Sequence, residues 1–322
     1  MVAPIVQQEP EPEFNDRCFQ LLRVWDAAKV SARELLNQLG ELAKEANESG
    51  HVANLGRVEH LMGYVHHYLG NYNTSILHYE KSRRYYVRAG NRRRIATIDL
   101  NQGENYRLKG EFSRARTLYR TSYETSNAMD DHPMMSFALT NEGLVLVSVK
   151  DYVNARVALQ QAYDLSLQWD RKVYNDALEE AESLRCEIFL GLAEIDLAEN
   201  NYTSAWKNAV ASLQNAQVVS EPRAIGMAYR VLGDVLTALK TPLDESMSTN
   251  PDDYYRQAMD HFKQVQAEGE IGRTVFAHAR SLATRKNRLR AAQLFREAMV
   301  IFTRLGMTHD AVRAAEAQLK VL

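Results

Sequence analysis

The stretch "EHLMGYVHHYLG" carries His60, His66 and His67, the densest run of histidines in the chain. His60 and His67 are seven positions apart, so a helix would put both imidazoles on one face, from which two nitrogens could reach a metal. No cysteine or further clustered ligand completes such a set, so no metal is expected. The plainer reading places His60 and His67 in a groove as polar contacts and packs His66 in a helix interface. A second stretch, "KSRRYYVRAGNRRR" (81 to 94), gathers Lys81, Arg83, Arg84, Arg88, Arg92, Arg93 and Arg94 around Tyr85 and Tyr86. Cations interleaved with aromatics can grip phosphates and stack on bases. The stretch also spans a helix end and a turn, where cations satisfy exposed carbonyls and the helix dipole. Solvated helix ends are therefore the leading reading, with an acidic partner surface or nucleic acid as the others. The acids of "NDALEEAES" (175 to 183) read as an exposed helix extension. The chain has no G-x-x-x-x-G-K-[ST] loop, no H-E-x-x-H, no paired C-x-x-C and no G-x-S-x-G, which favours a protein that is not an enzyme and needs no cofactor.

Whatever these residues do, helices must position them. The chain has 322 residues, 45% hydrophobic and 25% charged, an ordinary globular composition. With 39 basic and 41 acidic side chains the formal charge is -2, so no global field draws it to nucleic acid or anionic lipid, and nucleic acid is disfavoured as a partner. Two distant cysteines, Cys18 and Cys186, argue against a disulfide framework and fit a reducing compartment. No stretch is long and apolar enough for a membrane span, so no membrane partner is expected and a cytoplasmic location is. Residues 1–14, with Pro4, Pro10, Pro12 and several acids, read as a flexible tail. Beyond it, apolar residues recur at steps of three and four, as in "RARTLYRTSYETSNAM", while strand-like alternation is nowhere sustained. The chain reads as all-α. Pro242 and Pro251 mark an insertion near 240–252, expected to be a surface loop that carries little packing.

The helices repeat. From Gly103, Phe112 lies nine residues on, Ala115 twelve, Tyr119 sixteen and Ser122 nineteen. The same steps from Gly63 give Tyr72, Ser75, Tyr79 and Ser82, and from Gly143 they give Tyr152, Ala155, Leu159 and Ala162. Ala193 leads to Tyr202, Ala205, Ala209 and Ser212, and Gly233 to a delayed Tyr255, Ala258, Phe262 and Val265. A last unit holds Ala279, Ala291, Phe295 and Ala298, and a degenerate one precedes them all in "CFQLLRVWDAAKVSARELLNQLGELAKEANESG". Small residues at these spacings let two antiparallel helices approach closely, and the aromatics fill the space between one pair and the next. No pair buries its apolar face alone, so the pairs must stack.

The lattice, in "MGYVHHYLGNYNTSILHYEKS", "QGENYRLKGEFSRARTLYRTS" and "EGLVLVSVKDYVNARVALQQA", resembles the tetratricopeptide repeat in a long variant of about forty residues. It covers about residues 17 to 305. The resemblance implies a right-handed superhelical solenoid over 15–322, with about six to seven helix pairs and a capping helix at 308–322. It also implies that the first helix of each unit lines a concave face holding a protein or peptide. Relatives grip the ligand backbone through asparagines two residues before the repeat glycine. Asn101 and Asn141 stand there, with Leu61, Gly191 and Val231 at the equivalent points. On the same face lie Tyr64 and His67, Glu104 and Arg107, and Arg230 and Asp234. An amide can pair with any main chain, while charges select among side chains. The function expected is a non-catalytic protein- or peptide-binding scaffold or adaptor. The alternative is a ligand- or peptide-sensing regulatory module of a signalling or transcription-control system, whose output lies in another chain. Nucleic-acid binding through 81–94 is a third reading.

Overall fold

The computed structural model describes residues 8–26, 29–168 and 177–322. Among these, α1 (Pro12–Asp26) and α2 (Ala32–Ser49) precede six regular antiparallel pairs. The pairs are α3 (Val52–Tyr68) with α4 (Tyr72–Arg88), α5 (Arg92–Leu108) with α6 (Phe112–Asn127), and α7 (His132–Ser148) with α8 (Tyr152–Ser166). Then come α9 (Ala177–Ala198) with α10 (Tyr202–Val219), α11 (Pro222–Leu239) with α12 (Pro251–Gln264), and α13 (Glu268–Thr284) with α14 (Arg288–Arg304). A last helix, α15 (Thr308–Val321), packs on α14 and α13. The described residues contain no strand, and none of their helices is long and apolar enough to cross a membrane.

The repeat lattice is the packing code of each pair. A Cβ on Gly63 would lie 2.6 Å from the Tyr79 ring, one on Gly103 2.5 Å from Tyr119, and one on Gly233 2.9 Å from Tyr255. The returning helix replies with Ser75, Ala115, Ala155, Ala205, Ala258 and Ala291, all fully buried. Hydroxyls fix the register: Ser75 donates to the Gly63 carbonyl at 2.6 Å, Ser82 to Gly56 at 2.7 Å, Ser122 to Ala96 at 3.0 Å and Ser212 to Cys186 at 3.0 Å. A buried hydroxyl that bonds a carbonyl of the facing helix leaves no orphaned polar group in the contact.

Helices α2 to α7 and α9 to α14 are each ended by a residue in the left-handed region. These stand twenty apart from Gly50 through Gly70, Gly90, Gly110 and Asp130 to Lys150, then from Asn200 through Ser220 to Lys240, and from Gln266 through Lys286 to Gly306. The left-handed residue lets the chain reverse and satisfies the last carbonyls. Lys286, at φ 66, bears the steric cost of a side chain there. That cost is roughly 1–2 kcal/mol, while glycine loses about 0.5–1 kcal/mol in chain entropy. Lys286→Gly should therefore raise stability by about 0.5–1 kcal/mol, read as a higher urea midpoint at unchanged slope.

Two sequence expectations change. The tail expected over 1–14 is ordered from Gln8: its N–H donates to the Ala89 carbonyl at 2.9 Å, Glu11 N–H donates to Asn54 Oδ1 at 2.9 Å, and Phe14 is buried among Leu35, Leu39 and Val58. Residues 1–7 lie outside the described residues. The insertion, expected to be loosely attached, is a packed lead into α12 in its second half. Met247 rests on the α11 core, Tyr254 Oη donates to the Ser248 carbonyl at 3.0 Å, and Asn250 accepts from Asp252 N–H at 3.1 Å to cap α12. Of the acidic stretch 175–183, residues 175 and 176 lie outside the described residues and the rest enters α9.

The solenoid closes on itself. The α3–α4 and α5–α6 turns meet the last three helices: Leu305 sits on Gly70, His309 on Gly110 and edge-to-face on Phe112 at 5.2 Å, and Tyr72 Oη against Gly269. Tyr72 and Leu108 belong to the same apolar cluster as Val275, Phe302 and Met307. A ring with an apolar seam results, and its inner wall is made of first helices.

Candidate functional site

The first helices α3, α5, α7, α9, α11 and α13, with α15, surround one cavity of about 910 Å3. That volume is in the range of small-ligand pockets. Tyr64, His67, Asn101, Glu104, Arg107, Asn141, Arg230 and Asp234, from four helices, all line it. His60 is set behind this wall, buried, with the Asn101 amide donating to its Nε2 at 2.8 Å. This leaves the proton on Nδ1, which is buried without a partner. His67 is locked in a chain: its Nδ1 meets Asn105 Oδ1 at 2.9 Å, while the Asn105 amide donates to Ser75 Oγ at 2.8 Å. Burial, reinforced by Arg223, pushes the His67 imidazole down to about 4, and burial holds His60 well below its ordinary value. Both rings are neutral at pH 7, and each has one nitrogen committed to an asparagine. The Asn141 side chain makes no hydrogen bond with any described residue, so its amide is available to a ligand.

The charges in the wall are mostly paired among themselves. Arg107 grips Glu104 at 2.6 and 2.7 Å. Glu270 is a hub: Arg230 lies 2.5 Å away, Arg273 3.0 Å and Arg223 3.9 Å. Burial pushes the Glu270 carboxyl up, but the three guanidiniums outweigh this and hold it well below the carboxylate range. Arg273 also reaches Asp310 at 3.3 Å, as does Arg313, and Arg280 reaches Asp234 at 3.5 Å. Arg223 stacks over Tyr68 at 5.6 Å, and Tyr68 and Tyr64 pack with Trp25 of α1. The second-helix tyrosines have a role the spacing did not reveal. Two of them reach past their glycine to the acid that follows, Tyr119 Oη donating to Glu104 at 3.3 Å and Tyr255 Oη to Asp234 at 2.7 Å.

Four charged wall residues, Lys150, Glu187, Glu194 and Glu316, have no ion pair with a described residue. Glu187 and Glu194 of α9 make no hydrogen bond or ion pair with any described residue, though both face the cavity. Burial and the nearby Glu104 push the Glu187 carboxyl up to about 7, against the pull of Arg223 and Arg107. The Glu194 carboxyl is also raised, by desolvation first and then by Asp234, although the residue is exposed to solvent. The sequence reasoning passed over both, together with Arg223, Glu270, Arg273 and Arg280. Glu194 follows Ala193 and Arg280 follows Ala279, as Glu104 follows Gly103, so the lattice held the signal wherever alanine replaces glycine.

The basic stretch lies elsewhere. None of its seven cations lines the cavity, and Arg83 pairs with Asp99 at 2.7 Å, Arg93 with Asp131 at 2.7 Å, Arg94 with Glu9 at 3.3 Å and Lys81 with Glu59 at 3.7 Å. Arg88 lies over the Tyr85 ring at 6.0 Å, and Arg84 and Arg92 are exposed.

No protein-family model matches the chain, and no curated protein matches it. Solved structures do. The apo form of RapI superposes with a TM-score of 0.63 at 11% identity, over 96% of this chain and 99% of that one. A Rap protein complexed with Competence and Sporulation Factor gives a TM-score of 0.63 at 11% identity, over 96% and 84%. The APC/C hetero-tetramer Cut9-Hcn1 gives 0.52 at 13% identity, over 96% of this chain and 53% of that one. With its paired helices, small-residue contacts and first-helix inner wall, the chain has the fold of a tetratricopeptide-repeat solenoid.

Proposed function

We propose that the chain is a non-catalytic binding module that takes a short extended peptide into its ring. The observation that carries this reading is the convergence of Tyr64, Asn101, Asn141 and Arg230, each from a different first helix, on one cavity. The similar fold of a Rap protein complexed with Competence and Sporulation Factor is consistent with it. A cavity on the inside of a closed ring suits a small ligand better than a folded partner, which favours sensing over adaptor work. Occupancy and closure would then bias the same equilibrium.

Thermal shift of the intact chain against pools of synthetic peptides tests the reading. A peptide bound at a hundred times its Kd stabilises by about 2.7 kcal/mol, a readable rise in melting temperature. Asn141→Ala should leave stability within about 0.5 kcal/mol and weaken the selected peptide about tenfold, as expected when a hydrogen bond worth about 1–3 kcal/mol is lost to a ligand backbone. No shift with any pool, or full affinity in the Asn141 variant by calorimetry, would move the site off the inner wall.

A further inference from the structure

Helix α15 packs on α14 and α13 as the first helix of a unit does, and no described helix covers its outer side. In the regular pairs, two positions seven residues apart on the first helix are kept small so that the second helix can come close. Gly56 and Gly63 are such a pair, and so are Gly272 and Ala279: a Cβ on Gly272 would lie 2.8 Å from the Phe302 ring, and Ala279 is fully buried. Forty residues after Gly272 and Ala279 stand Val312 and Leu319. A leucine at the position of closest approach keeps a regular second helix from seating there.

The outer side of α15 follows a different spacing. Val312, Ala315, Leu319 and Leu322 are separated by three, four and three residues, the a and d positions of a coiled-coil seam. Val312 is 52% exposed, and Leu319 and Leu322 are each 76% exposed. The other side already serves the core, with Ala314 buried and Ala311, Ala317 and Val321 packed against it. The helix is thus apolar on two sides, whereas the end of a solenoid is kept soluble by a polar outer face. Val149, Val153 and Val157 of α8 are exposed as well, but α8 lies between α7 and α9 and lacks no helical neighbour. Glu316 and Lys320 flank the α15 seam on one side, and neither has an ion pair with a described residue. From the seam and these two charges we infer that the outer face of α15 binds the same face of a second copy of the chain, antiparallel about a two-fold axis.

Antiparallel seams set a positions against d positions. The register that places Val312 against Leu322 of the second copy places Ala315 against its Leu319, small against large, and repeats both contacts by symmetry. Two-fold symmetry also brings the charged flank of one helix beside the same flank of the other in reversed order. Glu316 then stands about 3 Å along the axis from Lys320 of the second copy, two residues out of step, and the pair forms twice. The contact is one helix long, well short of the roughly 1,600 Å2 of a standard interface. The dimer should therefore be reversible, populated at high micromolar concentration and lost on dilution.

Sedimentation velocity of the intact chain from low to high micromolar concentration tests the inference. The wild type should move from monomer towards dimer. Leu319→Glu, at an exposed site and with its fold checked by circular dichroism, should weaken association about tenfold or more, the effect of losing a central anchor, while Val153→Glu on α8 should change nothing. Glu316→Lys and Lys320→Glu should each weaken the dimer, and the two together should restore it, which a merely sticky face would not do. A monomer at every concentration overturns the inference and leaves the face to a helix of another protein. A dimer untouched by Leu319→Glu overturns it too, as does a charge pair whose exchange rescues nothing.

Discussion

Glu270→Ala should lower the stability of the chain by about 3–5 kcal/mol, the cost of removing one partner from a buried ionic cluster. Glu270 is 5% exposed and faces Arg230, Arg273 and Arg223, so the variant leaves three guanidiniums crowded together without the anion that holds them. A leucine or methionine cannot repair this, because the arginines remain. The sign of the pH dependence follows from the depressed carboxyl. The unfolded chain takes up a proton at about pH 4.3 while the folded one resists, so Glu270 contributes its full stability above that pH and loses it as pH falls through the folded value. Urea denaturation of wild type and variant should show a wide gap at pH 7 that narrows in acid. An equal midpoint at pH 7 would mean that the hub carries no net stabilisation.

Gly103→Val should cost about 3 kcal/mol, at the upper end of what overpacking does to a dense core. Its Cβ would lie 2.5 Å from the Tyr119 ring. Tyr119 has nowhere to go, being fully buried with its hydroxyl on Glu104. Either α6 shifts or the ring leaves its rotamer, and in both cases Glu104 loses its phenol. Gly40 of α2 is the control, since a Cβ there meets nothing within 4 Å. Gly40→Ala should stabilise by about 0.5–1 kcal/mol through chain entropy. Thermal melts of the two variants should therefore move in opposite directions, and a Gly103→Val melt matching wild type would show that the contact yields cheaply.

The groove was legible where chemistry follows from position on a single helix. Asn101, Glu104 and Arg107 share a face because the helical period puts them there, and Gly103 marks which face it is. Glu194, which follows Ala193 at the repeat position, obeys the same rule and was passed over. Glu270 is a different case. Nothing about its neighbours in sequence shows that Arg223 and Arg230 of the preceding unit will converge on it, since that depends on the angle at which one pair stacks on the next. The seam was illegible for the same reason. Leu305 and Gly70 are ordinary turn residues, and only the accumulated rotation of the intervening pairs brings them together. The ordering of residues 8–14 was missed because proline and acids read as solvent-loving, while their apolar anchor, Phe14, finds its pocket on α2 and α3.

An open array of repeats is quasi-one-dimensional: each unit feels only its neighbours, so the ends fray and the middle survives. Contact between Leu305 and Gly70 couples the last pair to the first regular one across 235 positions (305 minus 70), and His309 on Gly110 adds a second such tie. Fraying at either end must then break contacts that belong to the other. Loop closure of that length costs only slightly more than a closure half as long, about 0.6 kcal/mol for the doubling, so modest apolar contact suffices to hold it. Hydrogen exchange should accordingly find α3 and α14 opening together, as one cooperative unit formed from opposite ends of the chain.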